Sequence, residues 1–401
     1  MPVVNHGRQR WVIHADLDAF FAAAEVLRRP ELAGRSVVVG GSPEGRGVVA
    51  AASYPARAFG VRSAMSMAEA LRRCPDLVVV RGDHRYYREL SHQFRAILGA
   101  FSPLVEVVSI DEAYLDASDS DRLFGGAEAL ARDLKGRVRE EIGLAVSLGV
   151  ASNKLVAKIA SDLDKPDGLR VVRPGQEAGT LAPLAIERLP GVGPKSAQRL
   201  RESGIRTLGD LSNAPDALLR TVAGNDAERL RARARGEDDR PVRPEWEREP
   251  QKSIGHEETF SRDLRGLREL DAPLYHLSEE TGAELRREGL TGTTVTLKLR
   301  YNDFTTLTRQ QSLPKATDAH QEIHRLARTL LTRALAERDS PVRLLGVRVS
   351  GLASARQLSL FDDADVRTKK LNAAIDQLTA RDGERLVVPA RFAATRQKPR
   401  P

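Results

Sequence analysis

Three carboxylates in this sequence lie beside short apolar segments that are typical of strands. Asp16 follows one such segment, and Asp111 and Glu112 lie at a bend between two others, 105–110 and 113–116. Three acids that converge beside a core are costly to hold together unless cations neutralise them, and Mg²⁺ prefers a few carboxylates with water and substrate phosphates. One interpretation of the pattern is a site for two such ions, which can activate an attacking hydroxyl and stabilise a leaving phosphate. Acids at turns can also be simply solvated, and spacing alone leaves both interpretations open.

The elements around these acids predict an α+β fold. Strands are predicted at 11–15, 37–39, 48–51, 78–80 and 145–149, and helices at 19–28, 56–73, 86–100, 126–142 and 154–163. Helices and strands mix here without the strict alternation of a doubly wound sheet.

The second half of the sequence changes character twice. Residues 185–235 predict short helices and no strand, and residues 240–250 carry charge and three prolines, which favours an interdomain linker. A mixed pattern returns over 253–351, where residues 294–301 alternate between apolar and polar side chains. Residues 352–401 are interpreted as a tail with one helix over 366–381.

Composition narrows the class of protein. A length of 401 residues predicts two to four domains. The net charge of +8 favours a nucleic-acid partner, and the aromatic content of 4% favours phosphate contacts to a duplex over base stacking. Cys74 is the only cysteine, which excludes an internal disulfide and a cysteine-based zinc site. With no apolar run of about 18 residues and no visible signal peptide, we expect a cytoplasmic protein without a membrane partner.

Four segments carry a specific resemblance, in order and in approximate spacing. They are DLDAFF at 16–21, SIDEAY at 109–114, SNKL at 152–155 and KPDG at 165–168. They resemble the signature segments of Y-family translesion DNA polymerases, nearest to the bacterial DNA polymerase IV branch. The resemblance covers roughly residues 10 to 361.

The resemblance implies a right-hand polymerase fold of α+β class and its domains. These would be a palm (1–19 and 83–172), fingers (20–82), a helical thumb with a helix-hairpin-helix (173–239), the linker (240–250), a C-terminal little finger (251–351) and a tail (352–401). It also implies a monomer that extends a primer on template DNA with deoxynucleoside triphosphates (dNTPs), at low fidelity, in translesion synthesis and DNA damage tolerance.

The resemblance assigns the catalytic acids. Asp16, Asp111 and Glu112 would hold two Mg²⁺ ions, with the backbone carbonyl of Leu17 as a further ligand, and Asp18 would be structural. The primer 3′-hydroxyl would attack the α-phosphate of the incoming nucleotide and pyrophosphate would leave, so positioning and charge neutralisation dominate the catalysis.

The nucleotide pocket is assigned in the same way. Tyr54, Arg57 and Lys165 would contact the triphosphate, while Ala51 departs from the family, which often has Thr or Ser there, so a hydroxyl contact is missing. Phe20 and Phe21 are about 100° apart on a helix, and periodicity does not say which one faces a substrate. The resemblance points to Phe21 as the steric gate against a ribose 2′-hydroxyl.

Two regions are predicted to contact DNA. Gly191, Gly193 and Lys195 lie in a segment that resembles a helix-hairpin-helix, whose backbone N–H groups would face a phosphate; an ordinary helical hairpin in a core is the alternative. In the little finger the cations on polar strand faces are expected near phosphates, or else they are solvated: Lys298, Arg300 and Arg348.

The tail contains a pattern typical of sliding-clamp ligands. Gln357 would hydrogen-bond at a pocket rim, and Leu358, Leu360 and Phe361 complete the motif, with the last two filling an apolar cleft. The alternative is that these residues pack back on the domain. Two rival functions remain beside the polymerase: a non-catalytic accessory protein, which would lose the acids, and a DNA-binding adaptor that holds primer–template without extending it.

Overall fold

The computed structural model describes residues 9–247, 249–354 and 363–382. The chain divides into two compact units, Met1–Arg248 and Glu249–Pro401, and both mix helices with sheets. The described strands of the first unit are β1 (Val12–Leu17), β2 (Val37–Gly40), β3 (Val49–Ala52), β4 (Val78–Val80), β5 (Val105–Val107), β6 (Glu112–Asp116), β7 (Val146–Ala151) and β8 (Leu169–Val171). Its described helices are α1 (Phe20–Arg28), α2 (Tyr54–Ala58), α3 (Met67–Arg73), α4 (His84–Phe101), α5 (Asp121–Phe124), α6 (Ala127–Ile142), α7 (Lys154–Leu163), α8 (Glu177–Leu181), α9 (Pro194–Glu202), α10 (Leu208–Asn213), α11 (Asp216–Ala223) and α12 (Ala227–Ala234).

The central sheet of the first unit has the strand order β5-β6-β1-β7-β8 in the described residues. Because side chains alternate along a strand, β1 divides its residues between two faces. Ile13 and Ala15 pack in the core that also contains residues of α4 and α6, whereas Val12 packs with α7. His14 and Asp16 therefore share the α7 side of the sheet.

A smaller sheet, β3-β2-β4, packs with α2 and α3 around a separate apolar cluster. The expectation of a mainly helical stretch over 56–73 is wrong in its middle. α2 ends at Ala58 and Gly60 follows with φ 74°, a left-handed conformation that favours glycine. Helix resumes only at α3, where the Ser66 side chain caps the helix by accepting from Glu69 N.

Residues 173–247, all of them described, form helices and no strand, which confirms the prediction of short helices without a strand over 185–235. These helices do not have an apolar core of their own. Leu189, Leu200 and Leu211 belong to the same buried cluster as Leu155 and Val156 of α7. The helical region therefore packs on the α7 side of the central sheet.

The second unit is built on strands β9 (Ser253–Leu264), β10 (Leu290–Tyr301), β11 (Thr306–Thr317) and β12 (Val342–Ser354), with helices α13 (Gly266–Arg287), α14 (His320–Glu337) and α15 (Asp363–Asp382). In the described residues the strands form one sheet in the order β11-β10-β12-β9. The predicted alternation of β10 is confirmed, because Val295, Leu297, Leu299 and Tyr301 are all buried in the core with α13 and α14.

α15 confirms the helix predicted over 366–381 and shows where it lies. Arg286 of α13 donates to both carboxylate oxygens of Asp376, at 2.6 and 2.9 Å. Asn372 and Gln321 exchange two amide hydrogen bonds, of 2.8 and 3.2 Å. This part of the tail therefore docks on α13 and α14. In the described residues, no helix combines the length and apolarity needed to cross a membrane.

Candidate active site

The three predicted acids lie at the same end of the neighbouring strands β1 and β6. The antiparallel register pairs Asp16 directly with Glu112. Leu17 N donates to Asp111 O at 3.0 Å, so the bend that carries Asp111 is tied to the end of β1. Glu112 is itself the first residue of β6, one residue earlier than the sequence suggests. The backbone thus brings all three acids to one edge of the central sheet.

Glu112 is held by partners on the α7 side of the sheet. His14 Nε2 lies 2.9 Å from Glu112 Oε1, and the Lys158 ammonium donates to the same oxygen. Burial acts to raise the pKa of Glu112, but His14 and Lys158 outweigh it and lower the pKa to about 2. Glu112 is therefore ionised at neutral pH, as a metal ligand must be. Burial lowers the pKa of His14, which keeps its ring neutral.

Asp16 is paired with a lysine of the predicted nucleotide pocket. Lys165 Nζ lies 2.9 Å from Asp16 Oδ2 and 2.8 Å from Asp162 Oδ1. Burial raises the pKa of Asp16 to about 6, against the opposing effect of Lys165 and with a further contribution from Asp111. Burial acts to lower the pKa of Lys165, but the two aspartates outweigh it and raise the pKa. Negative charge at Asp16 is therefore only partly compensated, which favours the approach of a further cation.

The donors at this edge suit a hard divalent cation. The carboxylates of Asp16, Asp111 and Glu112 are oxygen ligands of the kind that Mg²⁺ prefers, as is the carbonyl of Leu17. The raised pKa of Asp16 marks a charge that such a cation would offset. The side chains themselves do not form a metal cage: across 9–247, 249–354 and 363–382, no three His, Cys, Asp or Glu side chains are grouped closely enough to hold a metal ion. Lysines partner two of the acids instead.

Asp18 joins the segments that carry the predicted nucleotide contacts. Its buried carboxylate accepts hydrogen bonds from Tyr54 Oη at 2.8 Å and from Ser147 Oγ at 2.9 and 3.0 Å. Asp167 N donates to it at 2.7 Å. A buried carboxylate with several donors is well satisfied, so Asp18 holds α2 and the loop of Lys165 to the end of β1.

Tyr54 and Arg57 lie together on α2. The Arg57 guanidinium is 4.8 Å from the centre of the Tyr54 ring, and Arg57 Nε donates to Ala52 O at 2.9 Å. Burial, followed by the hydrogen bond to Asp18, raises the pKa of Tyr54, so its hydroxyl keeps its proton and remains a donor. Ala51 lies buried in the neighbouring strand β3.

The structure separates the two adjacent phenylalanines of α1. Phe20 is 3% exposed and belongs to the core. Phe21 is only partly buried, and its ring stacks on Tyr87 with centroids 4.5 Å apart and planes 18° apart. The Tyr87 hydroxyl donates to Glu25 at 2.7 Å. Phe21 is therefore the more accessible of the two rings, and Tyr87 packs against one of its faces.

The glycine-rich turn leads into α9 as the sequence predicts. Gly191 has φ 90°, which favours glycine, and Gly193 is the N-cap residue of α9. A side chain at Gly193 would meet nothing within 4 Å, so the space in front of the helix start is open. Lys195, in the first turn, is exposed. The arrangement leaves backbone N–H groups and a cation facing solvent.

The predicted cations of the second unit share the sheet face that turns away from its core. Arg348 pairs in register with Thr296 and is exposed, and Lys298 pairs with Gly346. Lys298 Nζ makes an ion pair of 2.5 Å with Glu257, and Arg300 Nε donates to Thr306 Oγ1 at 3.0 Å.

The predicted clamp motif lies outside the described residues: Gln357, Leu358, Leu360 and Phe361.

Sequence reasoning missed the residues that orient the acids. His14, Lys158 and Ser161 reach Glu112 directly or through one another. The available signal was weak: His14 is two residues before Asp16 on the same strand face, and Lys158 and Ser161 are three apart on one helix face. No local sequence pattern indicates that this face of β1 packs against this face of α7.

Comparisons with known proteins agree over most of the chain. Residues 15–162 match the impB/mucB/samB family, and residues 251–360 match the C-terminal domain of the same family. Residues 184–232 match the SAM-like helix-hairpin-helix tandem.

Relatives named DNA polymerase IV match along nearly their full length. A protein named DNA polymerase IV from Alkalilimnicola ehrlichii is 47% identical, over 88% of this chain and 99% of the relative. Another of that name, from Halorhodospira halophila, is 48% identical over 88% of this chain and 98% of the relative. A solved Y-family DNA polymerase chimera is 28% identical, with a TM-score of 0.77, over 86% of this chain and 99% of the chimera.

Proposed function

Since this chain belongs to the impB/mucB/samB family of Y-family DNA polymerases, with the right-hand fold and the DNA-directed DNA polymerase activity of that family, we propose that it performs low-fidelity translesion synthesis in DNA damage tolerance. The observation that carries the catalytic part is the backbone placement of Asp16, Asp111 and Glu112 at the same end of β1 and β6. A non-catalytic accessory protein or adaptor has no need of these acids.

The proposed reaction is metal-dependent nucleotidyl transfer. Two Mg²⁺ ions, when bound, would assist deprotonation of the primer hydroxyl and neutralise the departing pyrophosphate. Asp16, Asp111, Glu112 and the Leu17 carbonyl are the proposed ligands. Lys165 is paired with Asp16, so we infer that it exchanges this partner for a triphosphate oxygen when a nucleotide arrives. The chain's own groups then bind and orient the substrates and supply little covalent chemistry.

The nucleotide is proposed to lie over α2 and the loop of Lys165. Tyr54 can donate a hydrogen bond, and Arg57 can bind two phosphate oxygens at once. Asp18 holds Tyr54 and the loop in place by accepting hydrogen bonds from both. Phe21 would exclude a ribose 2′-hydroxyl. Ala51 offers no hydroxyl at its position, which would weaken the grip on the triphosphate.

The family domains are proposed with the boundaries expected from sequence. They are the palm (1–19 and 83–172), fingers (20–82), thumb (173–239), linker (240–250), little finger (251–351) and tail (352–401). A monomer acting in the cytoplasm is the proposed working state.

The direct test is primer extension. Purified protein with Mg²⁺, all four dNTPs and a primed template should extend the primer, and it should also extend a primer past a damaged template base. Absence of extension on undamaged template would refute the proposal. Extension that stops at every kind of damaged base tested would leave the polymerase activity standing and remove the translesion role.

DNA binding should be electrostatic and insensitive to sequence. The logarithm of the association constant should fall linearly as the logarithm of salt rises. Lys195→Gln should weaken binding equally for unrelated duplexes and reduce that slope by about 1, because one phosphate contact is lost. Arg132→Gln is the matched control, since Arg132 is an exposed cation on α6 that is paired with Glu128. An unchanged slope in the Lys195 variant would remove Lys195 from the interface.

The motif at 357–361 is proposed to recruit a sliding clamp. Replacing Leu360 and Phe361 with alanine should abolish clamp stimulation of synthesis and leave unassisted extension intact, because two apolar anchors are lost. Leu371→Ala, at an exposed position of α15, is the control and should retain stimulation. Unchanged clamp affinity in the double variant, measured by surface plasmon resonance, would show that the motif is not the ligand.

A further inference from the structure

A buried histidine connects α7 to Glu112. His14 is 1% exposed and projects from β1 on the same side as Asp16. Its Nε2 lies 2.9 Å from Glu112 Oε1, and its Nδ1 lies 2.7 Å from the hydroxyl of Ser161, which is also buried. Both ring nitrogens are therefore engaged, one by α7 and the other by a proposed metal ligand.

The partners determine which nitrogen carries the proton. A neutral imidazole donates from one nitrogen and accepts at the other, and an ionised carboxylate can only accept. Nε2 must therefore donate to Glu112, which leaves Nδ1 as the acceptor. The Ser161 hydroxyl has two acceptors within reach, because Lys158 O also lies 2.8 Å away. Donation to Nδ1 gives a continuous series of hydrogen bonds from Ser161 through His14 to Glu112.

We propose that His14 is a positioning residue for metal-dependent nucleotidyl transfer and that Ser161 supports it by donating a hydrogen bond to Nδ1. The inference rests on the proposed role of Glu112 as a cation ligand. His14 and Lys158 both contact Oε1, so they pin one carboxylate oxygen and present the other, Oε2, to the cation. Hydrogen bonds to ligating carboxylates orient the ligand in this way, and their loss typically costs about 10–100-fold in metal affinity or activity.

The test compares three variants, which break or keep the hydrogen bonds that link Ser161, His14 and Glu112. His14→Phe fills the volume against Tyr114, whose ring centre is 4.7 Å from that of His14, but cannot donate. His14→Gln keeps an N–H donor near the Nε2 position. Ser161→Ala removes the hydroxyl that hydrogen-bonds to Nδ1 and leaves the bond to Glu112.

The readout is direct metal binding. Free Mn²⁺ is measured by electron paramagnetic resonance in a complex with a dideoxy-terminated primer–template and the matching dNTP, beside the Mg²⁺ dependence of primer extension. In His14→Phe we expect the Mn²⁺ dissociation constant and the half-saturating Mg²⁺ concentration to rise about tenfold or more. His14→Gln should restore both to near wild type, and Ser161→Ala should fall between.

The second unit supplies a matched control. His324 is also buried, and its Nε2 lies 3.0 Å from Asp271 Oδ1. His324→Phe removes a similar histidine–carboxylate bond, so it should lower the melting temperature comparably and leave Mn²⁺ affinity unchanged. If His14→Phe does not fold, His14→Gln and Ser161→Ala carry the comparison.

The outcomes separate the inference from the proposed function. Wild-type Mn²⁺ affinity in His14→Phe, with weak affinity in Glu112→Ala, would overturn the role of His14 and leave the acid site intact. Equal losses in His14→Phe and His14→Gln, or an equal loss in His324→Phe, would also overturn it, because packing or general destabilisation would then be the cause. Unchanged affinity in Glu112→Ala would instead remove the acid site itself.

Discussion

Replacing Asp111 or Glu112 with alanine should reduce primer extension by at least about a thousandfold, while primer–template binding stays near wild type. A cation in such a site stabilises the transition state by several kcal/mol, and about 4 kcal/mol corresponds to three powers of ten in rate. The backbone places both acids at the same end of the sheet as Asp16, so the loss of either one leaves the proposed set of ligands incomplete. Single-turnover extension measures the rate, and fluorescence anisotropy measures DNA binding.

The same strand offers the control for this prediction. Asp116 is at the opposite end of β6 from Glu112, where its Oδ1 accepts a hydrogen bond from Ser118 N at 2.9 Å. Asp116→Ala therefore removes a carboxylate from β6 without touching the site, and it should extend primers normally. Normal extension by either Asp111→Ala or Glu112→Ala would mean that the catalytic acids lie elsewhere.

Phe21→Ala should admit ribonucleotides. The ratio of ribonucleotide to deoxynucleotide insertion should rise at least about tenfold, or about 1.4 kcal/mol in relative barrier, because the ring that would meet the 2′-hydroxyl is gone. Phe21 is the partly exposed member of the pair, and its stacking on Tyr87 restrains the position of the ring. Insertion of deoxynucleotides should change much less, as measured by steady-state incorporation of single nucleotides.

Two further substitutions serve as controls for the Phe21→Ala result. Phe21→Tyr keeps the ring and should keep the wild-type ratio. Phe20→Ala removes a core side chain, so it should cost about 3–5 kcal/mol of stability and leave sugar selection near wild type. A ratio that does not move in Phe21→Ala would place the steric gate at another residue.

Local patterns in the sequence determined much about this protein. The apolar segment before Asp16 became β1, the alternation over 294–301 became the buried and polar faces of β10, and residues 185–235 formed helices without a strand. α7 has the bounds predicted for it, 154–163. These features depend on periodicity, caps and turn residues within a short window, which a single sequence displays.

Only the tertiary structure decided which side chains meet. The register of β1 with β6 sets Asp16 beside Glu112, although they are far apart in the chain. The packing of α7 on β1 brings Lys158 to Glu112 and Ser161 to His14, and the core around α1 buries Phe20 and leaves Phe21 partly exposed. Such contacts depend on strand pairing and on how faces pack, and neither is written in local periodicity. The sequence therefore determined the chemical groups, and folding decided how they are paired and oriented.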